Sequence, residues 1–496
     1  MLAAGAPPGA VTMITSYGRL ARPKLNVFES PEGAAGGAVS GRSGPPTAIS
    51  GVPGTISGQS VSGRFHSANL ATSRPQGSNL TIVVERSLRA VLVDRATPRI
   101  TELLASALDG SGPAILPIDA SLPDAQLDAL LGTFAPDQIE DAGGITTVRS
   151  ARNAGIGDTA VIVGTSGSTG QPKGVLLSAD ALLSSARASM ARVGAQRGER
   201  WLCCLPVTHI AGIQVLVRAL LSGVEPVLAN RADAAVIAAS GAAHISLVPT
   251  QLQRLGVGMP ALNAFKSVLL GGAAAAGSLV EQARAAGVPV VTTYGMSETC
   301  GGCVYDGVPL EGVRVAIRDE AGAPAGPGAS GRIWISGPVL FGGYFGGAGV
   351  PADGWFRTGD LGRLDESGRL SIRGRADDVI NTGGHKVVPG EVAAALQDYP
   401  GVRDVAVVGQ KDPEWGERVV AVIVAADPAD PPTLKMLRMH VKQRLPRYAA
   451  PSRVVVVDAV PLLPGGKQDL ARLRQDLTEL GNTTGREQTE PSSVTN

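Results

Sequence analysis

Short apolar runs alternate with amphipathic stretches from about Leu80 onward. Leu88–Asp94 (LRAVLVD) reads as a strand, and Arg99–Leu108 suits a helix that ends at Gly110. Ala114–Ile118 is a second short strand, and Ser121–Leu131 opens with a residue suited to cap a helix. The run Thr159–Val163 (TAVIV) is apolar throughout and predicts a buried strand. Strands alternating with helices imply an α/β architecture with a largely parallel sheet, continuing to about residue 300. Between 300 and 345 the texture changes to short β runs set apart by Gly and Pro, such as Val313–Ile317 and Gly331–Ile335. After Gly374 a smaller α+β unit is predicted: a helix over Glu391–Tyr399, strands Val402–Gly409 and Arg418–Val424, and a helix over Thr433–Leu445.

Residues 1–78 carry neither period. They are rich in Gly, Pro, Ser and Ala, with few large apolar side chains to offset the entropy of ordering, and are expected to be a disordered extension. The predicted organisation is 1–78 extension, 79–374 large domain, 375–480 small domain and 481–496 disordered tail.

Composition narrows the function classes. Of 496 residues, 44% are hydrophobic and 18% charged, which fits a globular protein of two or more domains. A formal net charge of +1 and 3% aromatics supply neither the basic field nor the stacking surface that nucleic-acid binding needs. Ala211–Ala229, the most apolar long window, contains Arg218 and Glu225 and is a poor membrane span. The N-terminus shows no charged region leading into an apolar one, so no secretory signal is apparent and a cytoplasmic location is expected. Cys300 and Cys303 have zinc-ligand spacing, but no second pair completes a site. With Cys203 and Cys204 they are expected to be core or pocket thiols in a reducing cytosol.

The chemistry concentrates in Thr165-Ser166-Gly167-Ser168-Thr169-Gly170-Gln171-Pro172-Lys173-Gly174. Glycines let backbone N–H groups close around phosphate oxygens, hydroxyls add donors, and Lys173 adds a point charge. The lysine spacing is not that of a Walker A loop. This loop resembles the signature of the adenylate-forming superfamily of acyl-CoA synthetases, adenylation domains and luciferase-like enzymes. Five further pieces of that superfamily's pattern follow in order.

His209, in Leu205–Gly212, falls where the family places an aromatic or histidine at the acyl pocket. Nine residues on, Arg218 stands alone in an apolar helix and needs an anionic partner or a route to water; a substrate carboxylate is one answer and a structural ion pair another. Val268–Ala273 is a strand running into Gly271-Gly272-Ala273, the turn that lies against adenine in the family. Tyr294-Gly295-Met296-Ser297-Glu298-Thr299 matches the family's Tyr-Gly-x-Ser/Thr-Glu motif: Tyr294 offers a face to adenine, Gly295 lies beside the substrate, and Glu298 is a hard oxygen ligand for Mg²⁺. Gly354–Asp360 places one carboxylate, Asp360, to accept both ribose hydroxyls, and Arg375 adds a ribose or phosphate contact. Asp377 falls on the family's interdomain hinge, and the Gly383-Gly384 turn on the loop that builds its thiol-attack site. Lys467, in Pro464-Gly465-Gly466-Lys467, matches its mobile lysine, which stabilises charge as pyrophosphate leaves.

Within the superfamily, YGMSETCGGCVYDGVPLEGVR (294–314) together with Pro206–Gly212 resembles the compact actinobacterial o-succinylbenzoate–CoA ligases of menaquinone biosynthesis. That resemblance implies a large α/β domain with a small β-rich subdomain and a small mobile α+β C-terminal domain. It implies ATP, Mg²⁺ and CoA, a small carboxylate substrate and a possible homodimer. Medium-chain fatty or aryl acid ligases are the alternative, as is a nucleotide-binding relative without catalysis; retention of Glu298 and Lys467 argues against the latter.

Overall fold

A computed structural model describes residues 86–94, 96–148, 156–166, 172–326, 328–347, 349–463, 468–480 and 487–489. The chain divides into two units, Met1–His66 and Ser67–Asn496, and all described residues belong to the second. The expected disordered extension 1–78, Gly167–Gly170 and Lys467 lie outside the described residues.

Two seven-stranded sheets form the large domain. In the first, Leu88–Val93 pairs in parallel with Ala114–Asp119 and Gln138–Asp141, as Ala114–Asp119 does with Thr159–Ser166. The second is parallel from Val290–Met296 through Ser267–Leu270, His244–Leu247 and Trp201–Cys203 to Val227–Leu228. Both end in antiparallel pairs, Gln138–Asp141 with Gly144–Thr147 in the first and Val290–Met296 with Gly301–Tyr305 in the second. The largest core joins side chains of both sheets to three helices, Pro98–Asp109, Ala179–Val193 and Ile210–Ser222. Ile210–Ser222 is buried on nearly every side, so the apolar window around Arg218 is a core helix. Among the described residues no helix is long and apolar enough to cross a membrane.

One local expectation is corrected. Ser121 does not cap the second helix, which runs Asp124–Phe134 behind Pro123. Its N–H and hydroxyl turn back onto Asp119 Oδ1 instead, at 2.8 and 2.7 Å, a local bond that competes with capping. The stretch from Leu176 to Met190 is two elements. Pro172–Ser178 is a strand antiparallel to Thr159–Ser166, and only then does the helix begin, capped by Ser178 Oγ accepting from Ala181 N–H at 3.2 Å. Thr165 and Lys173 therefore face each other across antiparallel strands, and residues 167–171 between them lie outside the described residues.

A third, antiparallel sheet orders Arg314–Arg318, Gly331–Ser336, Phe356–Leu364 and Leu370–Arg375, the β-rich subdomain the sequence foretold. The small domain wraps Pro389–Gln397 and Leu434–Lys442 around the long hairpin Val402–Asp412 and Gly416–Ala425. Within the expected tail, Glu487–Thr489 forms a short strand against Arg453–Val455, so part of it pairs with the sheet.

Candidate active site

The site collects where the strands of the second sheet end. Strand Ser267–Leu270 delivers Gly271 and Gly272, and strand Val290–Met296 carries Tyr294 and Gly295. A Cβ on Gly295 would sit 1.9 Å from the carbonyl oxygen of Gly301, so only glycine lets these neighbouring strands close up. A pocket opens there, lined by Leu205, Gln214, Arg218, Ser246, Gly271 and Gly295 among others.

Tyr294 does more than present a ring. Its hydroxyl donates to Asp360 Oδ2 at 2.8 Å, while Arg375 Nη1 reaches Asp360 Oδ1 at 3.4 Å. Burial and the neighbouring Asp360 charge push the phenol well above its usual range, so it stays a neutral donor. Asp360 is buried in the strand Phe356–Leu364, beside Thr358, whose hydroxyl donates to Ile333 O at 2.8 Å. Tyr294, Asp360 and Arg375 are thus one cluster drawn from two sheets.

Glu298 lies in a single 3₁₀ turn, Ser297–Thr299. Its Oε1 accepts the Tyr344 hydroxyl at 2.7 Å, and Lys173 Nζ stands 5.8 Å from the centre of the same tyrosine ring. Tyr344 was missed by sequence reasoning. The signal was available in Gly342-Gly343-Tyr344, but only the pairing of Gly343–Tyr344 with the Lys173 strand reveals what the ring touches. Backbone bonds fasten the segment at both ends: Phe341 N–H donates to Glu298 O at 2.9 Å, and Phe345 N–H to Gly174 O at 2.8 Å. Thr165 Oγ1 donates across the hairpin to Lys173 O at 3.2 Å.

Arg218 is 5% exposed and faces no carboxylate among the described residues. Nη1 donates to Ser189 Oγ at 3.3 Å, Nη2 to Ser246 Oγ at 3.2 Å, and Cζ lies 4.6 Å from the Trp201 ring centre. Among the described residues its Nε finds no acceptor, nor does Gln214 Oε1 find a donor one helical turn earlier. Burial pushes the guanidinium below its ordinary pKa, with Tyr305 and Cys203 acting the other way. The structural ion pair that the sequence left open is not formed among the described residues.

Of the remaining candidates, Asp377 meets the cluster through Arg375, while Gly383 and Gly384 lie on a hairpin of the small domain. His209 is exposed and precedes the Ile210–Ser222 helix, whose first residues Ile210 and Ala211 line the pocket. Ala273 is exposed beyond Gly272, and Thr299 is fully buried, its hydroxyl donating to Gly301 O at 2.7 Å. Asp377 is exposed and pairs with Arg375 Nη2 at 3.5 Å, just past the last strand of the third sheet. Gly383 and Gly384, at φ +56° and +77°, form the two-residue turn between Ile380–Thr382 and His385–Val387, a hairpin geometry that suits glycine. The two domains touch at Lys386 Nζ to Glu320 Oε1 (3.2 Å) and Gln253 Nε2 to Arg403 O (3.2 Å). The four cysteines are free and buried, and burial pushes their thiols up, Cys203 to about 11 and Cys204 and Cys303 to about 12, which favours the neutral thiol.

Lys173 and Glu298 meeting at one tyrosine, and a Tyr–Asp–Arg cluster drawn from two sheets, fit an adenylate-forming enzyme with a separate C-terminal domain. Residues 80–345 match the AMP-binding enzyme family and residues 391–467 match the AMP-binding enzyme C-terminal domain. The chain belongs to the AMP-binding enzyme family. A Mycobacterium tuberculosis protein named "Probable 2-succinylbenzoate--CoA ligase" is 41% identical over 396 residues, 76% of this chain and 95% of that one. A 2-succinylbenzoate–CoA ligase of Enterococcus faecalis is 33% identical over 330 residues, 62% of this chain and 67% of its own. Among solved structures, the Bacillus subtilis o-succinylbenzoate CoA synthetase in complex with the acyl-adenylate OSB-AMP superposes with a TM-score of 0.68 at 27% identity, covering 82% of this chain and 89% of that one.

Proposed function

We propose that this protein is an ATP-dependent acid–CoA ligase that converts o-succinylbenzoate to o-succinylbenzoyl-CoA through an acyl-adenylate, in menaquinone biosynthesis. The observation that carries the substrate is Arg218: a buried guanidinium at a pocket wall that meets no carboxylate among the described residues is suited to receive an anion. A diacid supplies that anion and still keeps a second carboxylate for reaction.

In the first step the succinyl carboxylate attacks the α-phosphorus of ATP. A carboxyl C–O–P linkage forms, the bond from the α-phosphorus to the bridging oxygen breaks, and pyrophosphate leaves with the electron pair. In the second, the CoA sulfur attacks the acyl carbon, the thiol proton is lost, and AMP departs. Asp360 and Arg375 are assigned to the ribose, Tyr294 and Gly271–Ala273 to adenine, and Thr165–Lys173 to the phosphates. Lys467 serves the first step, and the Gly383–Gly384 turn the second, after rotation about Asp377. His209 and Gly295 are assigned to the carboxylate being activated.

Glu298 fits a Mg²⁺ role, because a hard carboxylate that shares Tyr344 with the phosphate-loop lysine is held by a neutral donor at one oxygen only among the described contacts. When bound, the ion neutralises charge on the leaving pyrophosphate. Tyr344→Phe removes the donor that orients Glu298. The expected result is about a tenfold higher Mg²⁺ requirement for adenylation, on the scale of one hydrogen bond to a charged group, measured by Mg²⁺ titration of pyrophosphate release.

The function is tested by CoA-thioester formation from o-succinylbenzoate, 4-oxo-4-phenylbutanoate (the same acid without the ring carboxylate), benzoate and octanoate. Turnover is expected with the diacid. Arg218→Leu should cost about 10²-fold in kcat/KM for the diacid and little for the monoacid, the scale of a lost bidentate charged contact. Turnover with octanoate and none with the diacid would overturn the substrate assignment.

A further inference from the structure

The guanidinium of Arg218 is held chiefly by a ring. A cation taken out of water needs compensation, and two serine hydroxyls provide only dipoles. The largest group against it is Trp201, wholly buried, with its ring centre 4.6 Å from Arg218 Cζ. Trp201 is itself held by two partners. Its Nε1–H donates to Ser222 Oγ at 3.2 Å, and its ring stacks on His244, with ring centres 4.4 Å apart and planes 25° from parallel. His244 in turn meets Ser267 Oγ at 2.8 Å and Glu199 Oε2 at 2.9 Å. Glu199 also pairs with Lys266. The result is a column, Glu199–His244–Trp201–Arg218, anchored at a carboxylate and ending at the pocket wall.

We propose that Trp201 is a positioning residue that sets the preference for a diacid, holding the Arg218 guanidinium on its indole face in place of a protein carboxylate until the second carboxylate of the substrate arrives. The inference rests on the reading of Arg218 as receptor for that carboxylate. A protein carboxylate in the same place would stabilise the arginine more, but it would neutralise the receptor and compete with the substrate. An aromatic face compensates the cation partly, from one side, and leaves its N–H groups able to donate. The serine tethers fix the rotation of the guanidinium plane. Arg218 Nε, which has no acceptor among the described residues, still has capacity to donate.

The test compares kcat and KM for o-succinylbenzoate and for 4-oxo-4-phenylbutanoate in Trp201→Phe, Trp201→Leu, Ser246→Ala and Arg218→Leu. Phenylalanine keeps a weaker face and leucine keeps none. The expected loss of diacid preference is about threefold for Phe and about tenfold for Leu, carried by the KM of the diacid, with the monoacid values unchanged. Ser246→Ala should move the same ratio in the same direction. Should Trp201→Leu not fold, the Phe and Ser246 variants decide. Equal losses on both acids, or an unchanged ratio in every soluble variant, overturn the proposal by making the column merely structural. An unchanged ratio in Arg218→Leu overturns the receptor reading itself. A changed ratio there with none in the Trp201 variants overturns only the role of the indole.

Discussion

Asp360→Ala should lower kcat/KM for ATP roughly 10²–10⁴-fold, from two hydrogen bonds to a charged group at about 1.5–3 kcal/mol each. The side chain is buried and both its oxygens already have partners, Tyr294 on one and Arg375 on the other. Two ribose hydroxyls arriving at this carboxylate meet an acceptor whose orientation is set in advance, so little rotamer entropy remains to be lost on binding. Removing it also strands the Tyr294 hydroxyl in a buried place without its acceptor. Asp360→Asn separates the two effects. The amide oxygen still accepts from Tyr294, so Asn should recover part of the adenine-side loss and little of the ribose contact. Equilibrium binding of AMP, followed by calorimetry, should weaken in the same order. Wild-type AMP affinity in Asp360→Ala would remove Asp360 from the nucleotide site.

For Lys467→Ala the expected loss is about 10²–10³-fold in adenylate formation, the scale of one preorganised group facing charge that develops in the transition state. Thioester formation from a chemically prepared acyl-adenylate should be retained, because the lysine is assigned only to the first step. Pyrophosphate release and thiol transfer are measured separately to see this. On either side of Lys467, Leu462 and Gln468 bridge antiparallel, and Gln468 Nε2 donates to Val405 O at 3.0 Å. The backbone next to it, at Arg403, accepts Gln253 of the large domain at 3.2 Å. Equal loss in both half-reactions would contradict a role confined to adenylation.

What could be read from the chain unaided was whatever is written contiguously. The apolar runs of the first and second sheets, the glycine that ends Pro98–Asp109, the β-rich texture after 300 and the α+β pattern after 374 rest on local period and turn chemistry, and each appears where the pattern placed it. The motifs were legible for the same reason. Each packs several chemical groups into a few residues, as in Thr165–Gly174 and Tyr294–Thr299, and the structure brings Tyr294, Asp360 and Arg375 into one cluster.

The tertiary structure decided everything that depends on two distant segments meeting. Pro172–Ser178 is a strand because a partner strand stands beside it, and its apolar, Ala-flanked sequence suits either state. Tyr344 matters through Glu298, 46 residues away, and no local pattern carries that pairing. Arg218 announced a missing anion, but the sequence could not say that Ser189, Ser246 and Trp201 would surround it without one. Local physics sets element type and the inventory of chemical groups. Which of those groups share a dielectric, a hydrogen bond or a ring face is set only when the sheets close.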